Sequence, residues 1–307
     1  MANTSFVGPI RSKNGVELYS VTSSTGVEHN RTVGDWPRDA RRWYLEEYFS
    51  KRPGINANLD QASTVEVQRT LNQNFEILDG AGNMTSALVT FPADAAGVLA
   101  TTAGADQDQA IIAPHLDNDG TADTGAITAW SGVQWGTENQ VHWETSIRMP
   151  AIDNQWVWAG LKLTNVAELA TDADQAFFQF GTDADNAGQA FTDFTKWHFV
   201  HSIGGTDYIS VLPITVAANT NYHLKIKIDS DRKATIYVNG VQYNVTGTSG
   251  STGGTAVTAV QPGTTATKTA ALTDNVDFIP YNGIEANAGA AEALNTHFIA
   301  MSRMHYE

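Results

Sequence analysis

Residues 222–245, YHLKIKIDSDRKATIYVNGVQYNV, decide the fold class. Leu224, Ile226 and Ile228 alternate with His223, Lys225 and Lys227, and Ile236 and Val238 alternate with Tyr237 and Asn239. Each run therefore has one apolar and one polar face, the period of a half-buried strand. Residues 229–233, DSDRK, supply turn formers between the two, and Asn239-Gly240 supplies the positive-φ dipeptide of a tight hairpin before residues 241–245. Three successive antiparallel strands make a meander. With one wet face, the meander has to lay its other face on a second sheet, so a β-sandwich is expected.

The same pattern runs outward from this stretch. Residues 141–149, VHWETSIRM, alternate cleanly, and 157–163, VWAGLKL, follow a polar turn. Further strands are expected at 88–91, 98–101, 110–113, 177–180, 197–203, 208–212, 277–280 and 297–304. Residues 247–273, rich in Thr, Gly and Ala, read as a long surface excursion or an interface flap. Regular strand spacing with turn signals favours a mainly β, two-sheet antiparallel jelly roll over a βαβ fold.

The first 83 residues read differently. Residues 1–33 have too little apolar content to fold alone and form an extended arm, either frayed or laid on a partner. Residues 35–49 carry a capping Asp35, an early Pro37 and a stop before Pro53-Gly54, which predicts a short helix. Its Trp36, Arg38, Arg41, Arg42, Trp43, Tyr44, Tyr48 and Phe49 are of the types enriched at interface hot spots, so docking and plain packing on the sandwich are both open. A second helix is expected over 59–78, where Val65, Leu71, Phe75 and Leu78 fall near helical spacing. The expected division is 1–83, arm and docking segment, and 84–307, sandwich.

Charge and composition narrow the function classes. The formal charge is −15, with eight Lys/Arg against six Asp/Glu in the first 52 residues and ten against 27 in the rest. An acidic body lacks the clustered cations that phosphate contacts need, which argues against nucleic-acid binding. Cysteine is absent, excluding disulfides and thiolate metal sites. No apolar run is long enough to span a bilayer, and the N-terminus lacks the apolar core of a secretory signal; synthesis and folding in a cytoplasm are expected, with no membrane partner.

Several segments together, TTAGADQDQAIIAPHLD, AWSGVQWGTENQVHWETSIRM, WAGLKLTN, ATDADQAFFQF, SIGGTD and YHLKIKIDSDRKATIYVNG, resemble a structural-protein family of tailed bacteriophages. The opening MANTSFVGPIRSKNG is similar to virion proteins of this kind, and the body resembles a concanavalin A-like jelly roll of the laminin-G type. The resemblance covers about two thirds of the chain. It implies a non-enzymatic virion protein, a capsid decoration, cement or head-fibre protein. Its arm would dock on the major capsid protein or neighbouring virion subunits, as a homo-oligomer, a trimer by analogy. The alternative it implies is a tail adhesin that binds host surface glycans.

The residues themselves offer three chemistries. Retaining glycoside hydrolysis needs two carboxylates about 5 Å apart, and Glu144 stands without a carboxylate two or four positions on, so a hydrolase is not expected. Asp117, Asp119 and Asp123 lie in an oxygen-rich, turn-like segment that could take Ca²⁺, but without the terminal Glu of a calcium loop; no cofactor is otherwise expected. Asp172/Asp174 and Asp183/Asp185 are further pairs of the same kind. Trp130 and Trp135 are the candidates for sugar stacking, with Trp156 and Trp158 beside them, although alternating tryptophans also suit a sandwich core. His115, His142, His198, His201, His223, His297 and His305 show no ligand spacing.

Overall fold

The computed structural model describes residues 20–22, 27–29, 42–56, 74–78, 84–114, 135–162, 173–182, 191, 193–249 and 253–304. In chain order the strands are β1 Ser20–Thr22, β2 Val27–His29, β3 Arg42–Glu47, β4 Gly54–Asn56, β5 Phe75–Leu78, β6 Val89–Thr90, β7 Val98–Thr101, β8 Gln109–Pro114, β9 His142–Arg148 and β10 Gln155–Lys162. They continue with β11 Gln175–Gly181, β12 Lys196–Ile203, β13 Thr206–Thr215, β14 Asn221–Ile228, β15 Ala234–Val238, β16 Val241–Tyr243, β17 Thr255–Ala256, β18 Ile279–Ala286 and β19 Ala293–Met304.

These strands build a mainly β jelly-roll sandwich. One sheet runs β17-β13-β12-β11-β10-β18-β8-β5-β4, and the other β16-β15-β14-β9-β19-β7-β6 with β3 added to β19. The β4–β5 and β13–β17 pairs are parallel and the other sheet pairs antiparallel. β1 and β2 pair as a separate hairpin.

The meander forms as its alternation demands. β14 pairs β15 in the register Ile226↔Ile236, and Asn239 at φ 51° and Gly240 at φ 81° turn the chain into β16. Leu224, Ile226, Ile228 and Ile236 point inward, where they meet Trp143 and Ile147 of β9 and Phe178, Phe180, Trp197 and Phe199 of the opposite sheet. Fully burying side chains of this size contributes about 1.5–3 kcal/mol each. One polar bridge crosses this core: Asn282 Nδ2 on β18 donates to Thr145 Oγ1 on β9 at 3.0 Å, and that hydroxyl donates to the Phe298 carbonyl at 2.6 Å.

Two expectations are corrected here. Residues 42–47, expected in a helix, are strand β3, paired in register with β19 as Met301↔Leu45 and Arg303↔Trp43. The reason is periodicity: Trp43 packs on Trp135 with ring centroids 5.2 Å apart and Leu45 is buried, while Arg42, Tyr44 and Glu46 face the other way. Period two wins over the capping signals upstream. The described end of the second expected helix, Phe75–Leu78, is likewise a strand, and Phe75 packs on Phe49 with ring centroids 6.0 Å apart. Among the described residues no α-helix occurs; the helical turns are 3-10 at Ser86–Leu88 and Thr137–Asn139. β18 extends six residues beyond Pro280, where the sequence pattern ends its strand.

Candidate functional site

The outer face of the nine-stranded sheet is unusual for its glycines. Trp156 and Trp158 of β10 point away from the inter-sheet core, because Val157, Ala159 and Leu161 take the inner positions. Trp156 lies over Gly181 of β11, where a Cβ would come within 2.4 Å of the indole ring. Trp158 lies over Gly283 of β18, where a Cβ would come within 2.5 Å. Phe177 stands opposite Gly160, whose added Cβ would meet it at 2.4 Å. A glycine inside a strand usually weakens it, and here each one removes the side chain that would hold a ring upright. The rings can therefore lie down on the sheet.

Polar groups share this aromatic floor. The register places Ile111, Gly283, Trp158, Gln179 and His198 in one row across five strands. Trp158 Nε1 and both amide atoms of Gln179 are buried and meet no hydrogen-bond partner among the described residues, and the buried His198 ring has only the backbone of Lys196 beside it as a hydrogen-bond partner. Directly opposed side chains on neighbouring strands have Cβ atoms about 5 Å apart, so Gln179 stands between Trp158 and His198 in this row. Burial holds the His198 imidazole well below its ordinary pKa, at about 4, so it is neutral at pH 7. The Phe191 ring covers it, stacked at 3.8 Å and 3° and also 5.2 Å from Trp156.

The flanking rows are partly satisfied, with Gln109 Oε1, Glu285 Oε1 and Gln175 Oε1 also buried without a hydrogen bond among the described residues. Gln109 Nε2 donates to Glu285 Oε2 at one end of the face. At the other, Gln175 Nε2 donates to Ser202 Oγ at 2.9 Å, and that hydroxyl donates to Asp207. Lys162 Nζ sits 4.9 Å above the Tyr281 ring, which stacks near Trp158. The carboxylates Glu76 and Glu285 lie on opposite sides of β8, opposite Ala113 and Gln109. Four residues of strand rise, about 13 Å, separate those backbone positions.

The residues picked from sequence fall elsewhere. Trp135 is fully buried in the inter-sheet core beside Trp43 and presents no face to a sugar. Trp130, Asp117, Asp119 and Asp123, with Trp36, Arg38 and Arg41, lie outside the described residues. The docking set is split by β3: Trp43 and Phe49 pack into the core, whereas Arg42 donates to Ser302 and to the Gln140 carbonyl, and Tyr48 is 60% exposed beside Phe298. Asp174 accepts from the Gly204 amide and the Thr273 hydroxyl, a structural use of its carboxylate. Among the described residues no group of three His, Asp or Glu is placed to hold a metal ion. Glu144 lies on the outer face of the other sheet, 3.2 Å from Lys225 Nζ and 3.4 Å from His223 Nε2. Burial raises its pKa, but the hydrogen bond from His223 and the Lys225 charge outweigh that and hold it at about 2. Gln179 and His198 escaped the sequence reading because only sheet register brings them together; glycines inside the runs WVWAG, FFQFG and PYNGIE were the available signal.

No protein-family model and no curated protein matches this sequence. Among solved structures the fold is similar to SCLam, a non-specific endo-β-1,3(4)-glucanase from family GH16, at 8% identity and TM-score 0.46, covering 87% of this chain and 93% of that one. It is similar to the alginate lyase A1-II′, a member of polysaccharide lyase family 7, at 12% identity and TM-score 0.43, covering 74% and 87%. A protein of unknown function from Shewanella oneidensis MR-1 matches at 10% identity and TM-score 0.45, covering 86% and 87%. The expectation of a non-enzymatic virion structural protein is corrected at this point: the similar structures named above with a stated activity are glycan-cleaving enzymes.

Proposed function

We propose that this protein recognises glycans on the outer face of its nine-stranded sheet. The observation that carries the reading is the row Trp158, Gln179 and His198, in which Trp158 Nε1 and both amide atoms of Gln179 are buried without partners beside a neutral imidazole and rings laid flat over glycines. Leaving such a group unpaired costs about 1–3 kcal/mol, so the row is more expensive than the apolar side chains that could replace it. A sugar ring matches both halves of the surface. Its C–H face stacks on aromatic rings and its hydroxyls both donate and accept, which amide, indole and neutral imidazole groups can answer.

His198 suits hydrogen bonding better than proton transfer, because a general base works best with a pKa near the operating pH, and here it lies at about 4. Phe191 occupies the stacking position over His198, so a ligand has to displace it. The test is calorimetric titration of the protein and of Phe191→Ala with a panel of neutral and acidic oligosaccharides, with product analysis of the same mixtures for cleavage. At least one saccharide should bind, and Gln179→Leu and His198→Leu should each weaken it. Absence of binding by both proteins across the panel would overturn the reading.

A further inference from the structure

The aromatic floor carries charge at its margins, and the sign of that charge bears on what can lie there. Glu285 of β18 stands opposite Trp156 in the sheet register, which puts their Cβ atoms about 5 Å apart. Two positions along the same face of β18 is Gly283, the residue beneath the Trp158 indole. One carboxyl group therefore adjoins both stacking rings. It is buried, and its Oε2 accepts from the Gln109 amide at 2.5 Å, a short bond of the kind an ionised acceptor makes. Two more carboxyl groups share the face: Glu76, opposite Ala113 on the β5 side, and Asp207, which accepts from Ser202 on the β13 side.

Among the described residues the cations of this face are already engaged. Lys162 Nζ lies 4.9 Å above the Tyr281 ring, and Lys196 Nζ pairs with Asp193 at 2.6 Å. The row between them, Trp158, Gln179 and His198, is uncharged at pH 7. Such a row can answer hydroxyl groups, which donate as well as accept. A carboxylate or sulfate on the ligand only accepts. On this floor it would shed its water, meet cations that are already held, and lie near the Glu285 carboxyl group.

We propose that the floor selects neutral glycans and rejects uronic-acid and sulfated chains, with Glu285 as the residue that enforces the choice. This rests on the glycan site proposed above and adds a substrate class to it. The selection works by repulsion. A neutral chain needs nothing from Glu285, whereas an acidic chain has to bring a like charge beside it.

The experiment is calorimetric titration of the full chain and of Phe191→Ala at pH 7 and low ionic strength, with pairs of ligands that share a backbone and differ in charge. The pairs are cello-oligosaccharides against their glucuronate counterparts, oxidised at the primary hydroxyl, and methyl-esterified oligogalacturonate against the free acid. Laminari-, xylo- and manno-oligosaccharides complete the neutral arm, and oligoguluronate the acidic one. Binding should be confined to neutral chains, or be at least about tenfold weaker for the acidic member of a pair. Glu285→Gln keeps an acceptor for Gln109 and should narrow that gap roughly tenfold; loss of structure would instead weaken both arms alike. An acidic chain bound as tightly as its neutral partner, or oligoguluronate bound alone, would overturn the selection while leaving the glycan site in place. A gap unchanged by Glu285→Gln would overturn the role of that residue. Absence of binding in both arms fails the site itself, and the selection with it.

Discussion

Replacing Gly283 with alanine tests whether the aromatic floor depends on strand glycines. The new Cβ would lie 2.5 Å from Trp158 Cζ2, 2.6 Å from Cε2 and 3.0 Å from Nε1, whereas ordinary contact begins at 3.4 Å. The indole would have to lift by about 1 Å, in a site where it is fully buried and already near Tyr281. Overpacking of this kind costs about 1–3 kcal/mol. Alanine recovers about 0.5–1 kcal/mol of the entropy that glycine loses in a strand. The net is a loss of up to about 2.5 kcal/mol, or up to about 4 °C in Tm for a chain of this size. Gly247→Ala is the control, since nothing lies within 4 Å of its added Cβ. Urea denaturation and differential scanning calorimetry of the two variants give the comparison, and tryptophan emission reports the displaced indole. If Gly283→Ala proves as stable as Gly247→Ala with unchanged emission, Trp158 does not lie on Gly283 and the floor is misdescribed.

Three further outcomes are expected. His198 and His201 have folded pKa values of about 4 and about 3, both depressed from 6.5 first by burial, so between those values the unfolded chain binds protons that the folded chain does not. The contribution of these two groups should therefore be level above about pH 6.5 and fall as the pH drops towards 4 and 3, against a smaller opposite contribution from Glu292, whose carboxyl burial raises to about 7; a urea midpoint unchanged by His198→Leu and His201→Leu together over that range would contradict it. Thr145→Val removes the acceptor of the buried Asn282 amide and should cost about 1–3 kcal/mol by chemical denaturation; an unchanged midpoint would mean that the bridge between the sheets contributes nothing. Phe191→Ala should expose Trp156 and His198, raising acrylamide quenching of tryptophan emission above that of the parent protein, and equal quenching would show that Phe191 is not their cover.

Legibility in the sequence followed the range of the interaction. The runs around Leu224, Ile236 and Trp143 carry their strand signal within a few residues, since alternation states which side chains face the core. The stretch around Arg42–Glu47 was harder, because Asp35 and Pro37 give a helical start while Trp43 and Leu45 need period two, and pairing with the distant β19 decides between them. Trp135 and Trp158 look alike in sequence as tryptophans beside polar residues, yet one fills the inter-sheet core and the other lies on the outer face. The direction of each follows from its strand's placement, which local pattern does not carry.

The sequence by itself determined the class of the molecule. Alternating apolar residues and turn-forming Asn-Gly and Asp-Ser segments compel antiparallel strands, and one apolar face per strand compels two layers. Only the tertiary structure decided the sites. Gln179 stands opposite His198 in the sheet register, and Glu144 reaches Lys225 and His223 across about eighty residues of chain. Side chains on neighbouring strands meet only where strand order and register are set. Both arise from burial summed over the whole sandwich, an energy that no single stretch of residues contains.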